Sequence, residues 1–289
     1  MAQVINLAGP IVKIVDMNQG DDIAEIIEKI TDRVAASYEM CTPGGSYVKN
    51  ALSWNDMTFH LPKHISFEET ATIPLAALTV VVSLYGRPQF PPPWRPVTTP
   101  IPFIVYDAIK LARNSNVHPN IAIAGKDLIC TGPPPSKQRS HSDRLPPWNG
   151  DHDQGDKGLS RTSWTSYCAP RTRYLINLQS AEGLKQSIAP GGQVDFVLPN
   201  DFDVSPAIKS ITPVGSVHKK PGFGNHEELG FAFSLYFTRA LQNVSLPGHP
   251  FEVGPQGLEG VEEVLKDLKA GKARAPKYIF RIADTPGIA

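Results

Sequence analysis

The segment FIVYDAIKLARNSNVHPNIAIAGK, residues 103–126, most constrains what this chain can fold into. Its pattern predicts a strand at 103–106, a short helix near 108–114 and a second strand at 120–124. A crossover of about a dozen residues is close to the minimum that joins two parallel strands. Such a unit typically opens a dinucleotide-binding half-fold, in which glycines after the first strand let the backbone approach a pyrophosphate. Here the turn between Tyr106 and Ile109 contains no glycine.

Composition narrows the class of protein further. The chain has 289 residues, 41% of them hydrophobic, and a formal net charge of zero. That length allows one large domain or two ordinary ones with a real core. The absence of a basic stripe argues against a nucleic-acid partner. No apolar run approaches the roughly 18 residues of a membrane span, so no membrane association is expected.

The cysteines and the N-terminal segment bear on the compartment. Cys41, Cys130 and Cys168 are widely spaced and odd in number, which fits a reducing compartment better than a disulfide framework. The segment MAQVINLAGPIVKIVD has neither a basic region nor a small-residue cleavage site. A cytoplasmic location is therefore expected.

Hydrophobic periodicity predicts elements on both sides of the opening unit. Ser66 and Glu69 form a capping-box pattern that starts a helix, and Pro74 breaks that helix. The other predicted strands are 4–15, 46–48, 58–61, 193–198, 209–217 and 277–282, and the other predicted helices are 21–36, 75–85, 182–188, 227–243 and 258–270, the last with Gly271 as its C-cap.

Two segments lack this periodicity. Residues 86–102 contain many prolines and predict an extended connector. Residues 127–173 are poor in aliphatic side chains and rich in Ser, Pro, Arg, Asp and Gly, a composition typical of disorder. A structureless stretch of this length inside a compact domain is unusual, so another explanation is considered below.

Several stretches, in order, resemble the medium-chain dehydrogenase/reductase family. FHLPKHISFEETATIPLAALTVVVSLY is similar to the family's domain-joining segment, and SIAPGGQVDFVLP, IKSITPVGSVH and GLEGVEEVLKDLKAGKARAPKYIFRI continue the likeness. The segment DRVAASYEMCTPGGSYVKNAL is similar to the family's GDRVxG…GxxAEY region. The proline linker FPPPWRPVTTPIPFIVYDA resembles the fungal zinc-independent branch of quinone-oxidoreductase-like proteins and trans-acting enoyl reductases. The resemblance covers about 200 residues, and each piece alone is weak.

The resemblance implies an α/β fold with two domains. A GroES-like β-rich catalytic domain, here incomplete, would comprise residues 1–85 with a return at 250–289, and a Rossmann-like parallel-sheet domain with a disrupted central section would comprise 86–249. The implied reaction is hydride transfer from NADPH to an activated C=C or C=O bond. The implied partners are a small-molecule or acyl-thioester substrate, a polyketide synthase and a second copy of the chain.

The chain departs from the family at the phosphate loop. The family would place about eight more residues, of the type SSAVGAFA, after a strand ending IVYGA. Here Asp107 stands where a glycine is expected, and its carboxylate would repel pyrophosphate. The loop is therefore interpreted as cut out. The chain also resembles a shortened family member at its N-terminus, where about 50 family residues have no counterpart and residues 16–31 look inserted.

A local frameshift would explain the stretch 127–173. One permitted back-translation of residues 142–170, read one nucleotide later, gives VIDYRPGTETMIKAIKAYLGQVGHHIAP. This product has a strand, a turn and an amphipathic helix, and it resembles the family at this position. The hypothesis is a frameshift or a mis-assigned intron, and the alternative is a genuine divergent loop.

The resemblance also implies a set of cofactor-contacting residues. Thr79 would lie near the nicotinamide amide, or it is a helix threonine bonded to its i−4 carbonyl. Lys126 would meet the 2′-phosphate of NADPH, and Lys277 would also reach a cofactor phosphate, or both are solvated surface lysines. The remaining candidates lie at the carboxyl ends of two predicted strands, where ligands sit in open α/β sheets, or they are simple strand ends. They are Val197, Leu198, Pro199, Gly215 and Ser216.

No metal site is expected. His60 and His64 are four residues apart, but Pro62 interrupts any shared helix, and no C-x-x-C cluster is present. Tyr38 and Tyr47 are possible proton donors on the grounds of their location alone. The alternative to a reductase is a catalytically dead or misannotated family remnant, which includes a non-catalytic scaffold.

Overall fold

In a computed structural model, the described residues are 6–8, 12–15, 33–39, 47–48, 51–86, 89–99, 101, 103–105, 109–117, 120–122, 174–177, 191–197, 199–212, 214–218, 225–272 and 276–287. Close contacts divide the chain into two compact units. The sheet unit is Val82–Thr212, and the split unit combines Ala2–Val81 with Pro213–Ala289. The sequence prediction placed these divisions after residues 85 and 249.

The elements alternate along the chain as follows. The strands are β1 (Asn6–Ala8), β2 (Val12–Val15), β3 (Val34–Ala36), β4 (Ala51–Trp54), β5 (Thr58–His60), β6 (Phe103–Val105), β7 (Asn120–Ala122), β8 (Tyr174–Asn177), β9 (Gln193–Phe196), β10 (Ile208–Ile211), β11 (Phe251–Val253) and β12 (Lys277–Arg281). The helices are α1 (Phe67–Ala71), α2 (Pro74–Val81), α3 (Ile109–Asn114), α4 (Glu227–Gln242) and α5 (Val261–Lys269).

The sheet unit is built on five parallel strands in the order β10-β9-β8-β6-β7. As predicted, β6 and β7 are parallel neighbours, with Phe103 paired to Asn120, and α3 connects them. Leu111 and Ala112 of α3 are buried, as are Val194 and Phe196 of β9. The β-branched and aromatic composition of these strands suits a sheet covered by helices.

The split unit contains three small sheets. Strand β12 lies between β1 and β11, with both pairs parallel, while β2 pairs with β4 in parallel and β3 pairs with β5 in antiparallel fashion. Helix α4 packs its aromatic side against β5, with the rings of Phe59 and Phe237 5.4 Å apart and edge-to-face. This packing places α4 with the first 81 residues, which is why the split unit resumes at Pro213 rather than at residue 250.

One glycine permits the close approach of α4. A methyl group at Gly230 would lie 2.7 Å from Met57 Cε and 3.0 Å from Val217 Cβ. A larger residue would push α4 away from both contacts, because packed interiors leave no spare room.

Three element predictions need correction. The helix expected at 21–36 is wrong at its end, where residues 34–36 form β3 paired with β5, and residues 21–32 lie outside the described residues. The strand expected at 46–48 is wrong, because Tyr47 and Val48 are bends and Tyr47 has a φ of 65°. The strand expected at 209–217 ends at Ile211, and a short 3-10 turn follows at Val214–Val217.

The predicted absence of a membrane-length apolar segment is also wrong on length. The helical run Phe67–Gly86 has 20 residues and a mean hydropathy of 1.4, within the described part of the chain. However, 56% of the 18-residue stretch with this hydropathy is buried inside the protein, and Val81, Val82 and Leu84 are fully buried. A buried core helix passes the same test of length and composition.

The break between α1 and α2 holds the loop before β11 in place. Ser66 caps α1 by accepting a hydrogen bond from Glu69 N at 3.0 Å, as the capping pattern predicted. The Glu69 carboxylate instead accepts from Gly248 N at 3.0 Å. Thr72 Oγ1 donates to Glu69 O at 2.6 Å and accepts from His249 N at 2.9 Å. One buried hydroxyl therefore joins the helix end to the loop.

We expect Thr72→Val to lower the free energy of unfolding by about 1–3 kcal/mol, because it removes two hydrogen bonds of a buried hydroxyl. Thr79→Val is the matched control. Thr79 Oγ1 makes a single hydrogen bond, to Leu75 O at 2.7 Å within its own helix. Thr79→Val should therefore lower the free energy of unfolding by about 0.5 kcal/mol or less. Urea unfolding of the two variants measures the difference, and equal losses would contradict this account of the break.

Candidate functional site

The order of strands in the sheet unit defines one candidate site. Going outward from β6, the chain first adds β7 on one side and then β8, β9 and β10 on the other. The order therefore reverses between β6 and β8. In open parallel sheets, ligands bind in the crevice beyond the carboxyl ends of the strands at such a reversal. The segment that follows β6 is accordingly where a phosphate group would be held.

The sequence of the connection that follows β6 is short and contains no glycine. Strand β6 ends at Val105 and α3 begins at Ile109, so only Tyr106, Asp107 and Ala108 separate them. None of the three is glycine, and Asp107 adds a negative charge. Side chains at these positions would keep the backbone away from an anion, and a carboxylate repels it.

Helix α3 is also fixed at its other end. The Tyr85 hydroxyl contacts Ser115 Oγ at 2.7 Å and donates to Leu111 O at 3.2 Å, while Val97 N donates to Ser115 O at 3.0 Å. Asn116 Nδ2 donates to Val97 O at 2.7 Å. These bonds tie the end of α3 to the rest of the sheet unit.

The end of β9 carries predicted cofactor residues and a buried carboxylate. Val197 is half-buried, Pro199 is exposed, and both directly follow β9 in sequence, while Leu198 lies outside the described residues. Asp195, in β9, is only 1% exposed. Its Oδ1 accepts from Ser210 Oγ at 2.6 Å, and its Oδ2 accepts from Thr212 Oγ1.

A fourth residue completes this network. Ser83 Oγ lies 2.6 Å from Thr212 Oγ1, and both side chains are buried. Each oxygen of the Asp195 carboxylate thus accepts one hydroxyl hydrogen bond, and Ser83 extends the network by contacting the Thr212 hydroxyl. The network fixes β9 against β10 and the residues after α2. The sequence did not predict this hydrogen-bond network, because the spacing of its residues follows no local pattern.

In the split unit, the turn Val214–Val217 is attached to the start of α4. Ser216 is buried, and its Oγ lies 2.8 Å from His226 Nδ1. His226 N also donates to Ser216 O at 3.1 Å. Gly215, beside it, is half-buried. Two hydrogen bonds from one residue therefore set the position of this turn.

Two further predicted residues lie elsewhere in the split unit. Helix α2, which carries Thr79, contacts the Val214–Val217 turn, and the Thr79 hydroxyl is bonded to Leu75 O, the alternative foreseen for it. Lys277 Nζ donates to Thr72 O at 2.9 Å at the start of α2. Thr79 thus lies on a helix that contacts the turn of Gly215 and Ser216, and Lys277 is bonded just before the start of that helix. Lys126 lies outside the described residues.

A small pocket beside the turn was not foreseen from the sequence. Its cavity volume is about 10 Å³, roughly the space of one water molecule, and it is lined by Trp54, Asp56, Met57, Val217, His218 and Glu227. His218 is 6% exposed, and its Nδ1 has no hydrogen-bond partner among the described residues. The only local signal is the histidine that ends GSVH, because the other lining residues come from distant segments.

Burial lowers the pKa of His218, and the nearby Glu39 carboxylate partly opposes this shift. The folded pKa therefore lies below the unfolded value of about 6.5. Below pH 6.5 the unfolded chain therefore binds more protons at His218 than the folded chain does. The contribution of the neutral imidazole to the free energy of unfolding is fully present above the unfolded pKa of about 6.5, and it is lost as the pH falls through the folded pKa.

We expect the free energy of unfolding to fall less on acidification in His218→Gln than in the wild type. Urea unfolding at pH 7.5 and at about pH 5 gives the change in unfolding free energy for each protein. The change should be smaller in His218→Gln than in the wild type. His64→Gln, at an exposed histidine, should retain the wild-type change. Identical pH dependence in all three proteins would rule out His218 as a titrating group that opposes folding.

The two tyrosines suggested as proton donors differ in setting. Tyr47 lies on a bend with a φ of 65° and is 44% exposed. Burial raises its pKa, and the neighbouring Tyr38 raises it further. Tyr47 therefore keeps its phenolic proton at neutral pH. A protonated phenol can donate a hydrogen bond, and Tyr47 remains a candidate on that basis.

Within the described residues, no group of three or more His, Cys, Asp or Glu side chains is placed to hold a metal ion. All three cysteines lie outside those residues.

The comparisons with known proteins agree with this architecture. No family model matches the sequence. The chain is 32% identical over 276 residues to the trans-enoyl reductase fsr4 of Gibberella fujikuroi, an alignment that covers 84% of this chain and 77% of that protein. An identity of this level over most of both chains shows common descent.

Solved structures show the same fold at lower identity. A protein from Rhizobium etli CFN 42 assigned as a zinc-dependent alcohol dehydrogenase matches with a TM-score of 0.56 and 15% identity, over 84% of this chain and 72% of that one. CurK enoyl reductase matches with a TM-score of 0.52 and 15% identity, over 78% of this chain and 66% of that one. GroES-like and Rossmann-like α/β architecture, with parallel sheets, is thus confirmed. On the strength of the identity to the trans-enoyl reductase and of this shared fold, the chain belongs to the medium-chain dehydrogenase/reductase family.

Proposed function

We propose that this protein derives from an NADPH-dependent, zinc-free reductase of the enoyl or quinone type, and that the chain as encoded here lacks the pyrophosphate part of the cofactor site. The observation that carries the first half is the 32% identity to a trans-enoyl reductase across 84% of the chain. The second half rests on the three-residue, glycine-free connection between β6 and α3.

In such a reductase the nicotinamide supplies a hydride to the β-carbon of an activated C=C bond, and a proton is added at the α-carbon. The present chain retains several parts that would serve this chemistry. The hydrogen bonds from His226 to Ser216 would hold the Val214–Val217 turn against the ring end of a cofactor. Tyr47, whose pKa is raised, would offer a protonated phenol. Tyr106, Asp107 and Ala108 do not suit a pyrophosphate, because none of them is glycine and Asp107 carries a carboxylate.

The substrate we propose is a small α,β-unsaturated molecule or acyl thioester. A polyketide synthase is the proposed partner, because the relative is a trans-enoyl reductase. A homodimer and a cytoplasmic location complete the proposal. A zinc-free reaction is part of the proposal because the sequence has no C-x-x-C cluster for a structural zinc.

A second candidate follows from the same connection. If the gene encodes the chain as written, the protein is a non-catalytic family member, because the phosphate site is absent. Transcript sequencing across codons 100–175 separates the two. A transcript that restores a glycine-rich loop and a VIDYR-type strand supports a working NADPH reductase. A transcript that matches the present sequence supports the non-catalytic member.

A further inference from the structure

Helix α4 presents two large apolar side chains to solvent. Phe231 is 41% exposed and Leu235 is 56% exposed, and they lie one turn apart on the same side of the helix. The other side of α4 is packed into the core through Phe233 and Phe237, which are both fully buried. A single exposed leucine is ordinary in a soluble protein, whereas a neighbouring aromatic and aliphatic pair forms a continuous apolar patch, which is a feature of interaction sites.

Opposite charges flank this apolar pair. Glu228 precedes Phe231 by three residues, and Arg239 follows Leu235 by four. At about 3.6 residues per turn the four side chains lie within an arc of about 80°, with Glu228 and Arg239 on the same edge of the arc. Both are exposed, and within the described part of the chain neither takes part in an ion pair. We define these four residues as the outer face of α4.

The order of residues on the outer face is complementary to itself in the antiparallel direction. When two copies of α4 lie antiparallel about a twofold axis near Phe233, Phe231 of each copy meets Leu235 of the other. Glu228 lies five residues before Phe233 and Arg239 six residues after it, so each glutamate faces the arginine of the other copy. The helix macrodipoles also oppose each other favourably. A parallel pair would instead place Glu228 against Glu228.

We propose that the outer face of α4 binds a second copy of this chain through an antiparallel helix pair with twofold symmetry. The apolar residues form the centre of the contact, and the two glutamate–arginine pairs at its edge set the register and direction. One helix pair buries less than the roughly 1,200 Å² of a stable interface. The dimer is therefore a weak one, with a dissociation constant on the order of 10–100 µM.

This inference rests on the homodimer of the proposed function and names the surface that forms it. The outer face lies entirely in the split unit, within Pro213–Ala289. The readout of its test is the oligomeric state, which depends neither on the cofactor site nor on reductase activity.

Sedimentation equilibrium of the full chain between about 1 and 300 µM measures the dissociation constant of the dimer. Leu235→Glu should weaken dimerisation by about tenfold or more, because it places an unpaired charge at the centre of the contact. Leu265→Glu is the matched control, since Leu265 is a leucine of α5 that is 44% exposed and lies outside the outer face. It should leave dimerisation unchanged. Circular dichroism verifies that both variants fold.

Reversing the charges tests the antiparallel direction. Glu228→Arg alone and Arg239→Glu alone should each weaken dimerisation by about fivefold or more, because like charges then meet across the contact. An equimolar mixture of these two variants should associate within about twofold of the wild type, because every arginine of one copy then faces a glutamate of the other. Glu259→Arg, at an exposed glutamate outside the outer face, should have no effect.

The outcomes separate the surface from the dimer itself. A chain that stays monomeric up to about 300 µM would overturn both this inference and the proposed homodimer. A dimer that is unchanged by Leu235→Glu and by both charge reversals forms through another surface, which overturns the inference and leaves the homodimer standing. A mixture that associates no better than its two components would overturn the antiparallel arrangement.

Discussion

The purified chain should show no saturable NADPH binding below about millimolar concentration when the cofactor fluorescence is followed in a titration. The reason is local to the connection between β6 and α3. Tyr106, Asp107 and Ala108 supply no glycine for the close approach of a pyrophosphate, and Asp107 repels it. Saturable binding at micromolar NADPH would contradict this account.

A gain-of-function variant makes the test specific. Asp107→Gly combined with insertion of SSAVGAFA after Ala108 should tighten NADPH binding by about tenfold or more, because it supplies backbone N–H groups at the anion position. The control carries an insertion of equal length without glycine and keeps Asp107. This control should bind as weakly as the unmodified chain. If both insertions tighten binding equally, length rather than glycine is what the site lacks.

The second large effect is expected at Asp195. Asp195→Ala should lower the free energy of unfolding by about 2–4 kcal/mol, because the hydroxyls of Ser210 and Thr212 lose a buried charged acceptor. Asp195→Asn keeps one oxygen acceptor and the shape of the side chain, so its loss should be smaller. Urea unfolding of each protein measures these differences.

Asp203→Ala is the control for this experiment. Asp203 is exposed, and its Oδ1 accepts from Ser205 N at 2.9 Å and from Ser205 Oγ at 2.7 Å. It therefore has the same residue type and a similar number of hydroxyl and amide partners without the burial. Its loss should be about 1 kcal/mol or less. A loss at Asp195 no larger than that at Asp203 would show that the buried network contributes little to stability.

Local patterns were enough to predict the elements of this chain that have clear periodicity. The unit β6–α3–β7 was predicted from residues 103–126 because apolar residues alternate with a short helical repeat there. Helix α4 was predicted from its amphipathic pattern within one residue of its observed end. Ser66 was predicted as a cap because a hydroxyl at that place satisfies an amide at the start of a helix. The family was likewise recognised from ordered motifs, and the relative confirms it.

Local patterns misled where a distant partner decides the conformation. Residues 34–36 follow a helical spacing of isoleucines, yet they form β3 because β5 offers a pairing edge. The strand predicted over 209–217 stops at Ile211 because the next residues turn toward His226, whose side chain and main chain both bond Ser216. In both cases long-range contacts outweigh an intrinsic preference of a fraction of a kcal/mol per residue.

The sequence by itself determined the family, the parallel β6–α3–β7 unit and the lack of a glycine loop, because each depends on residues adjacent in the chain. Only the tertiary structure decided that Asp195 accepts hydrogen bonds from Ser210 and Thr212, and that Ser83 contacts the Thr212 hydroxyl. It also decided that His218 meets Trp54 and Glu227 in one pocket. Some of these groups are more than a hundred residues apart in sequence, so no local pattern connects them. Their contacts matter for stability because a buried polar group, removed from water, needs a hydrogen-bond partner inside the fold.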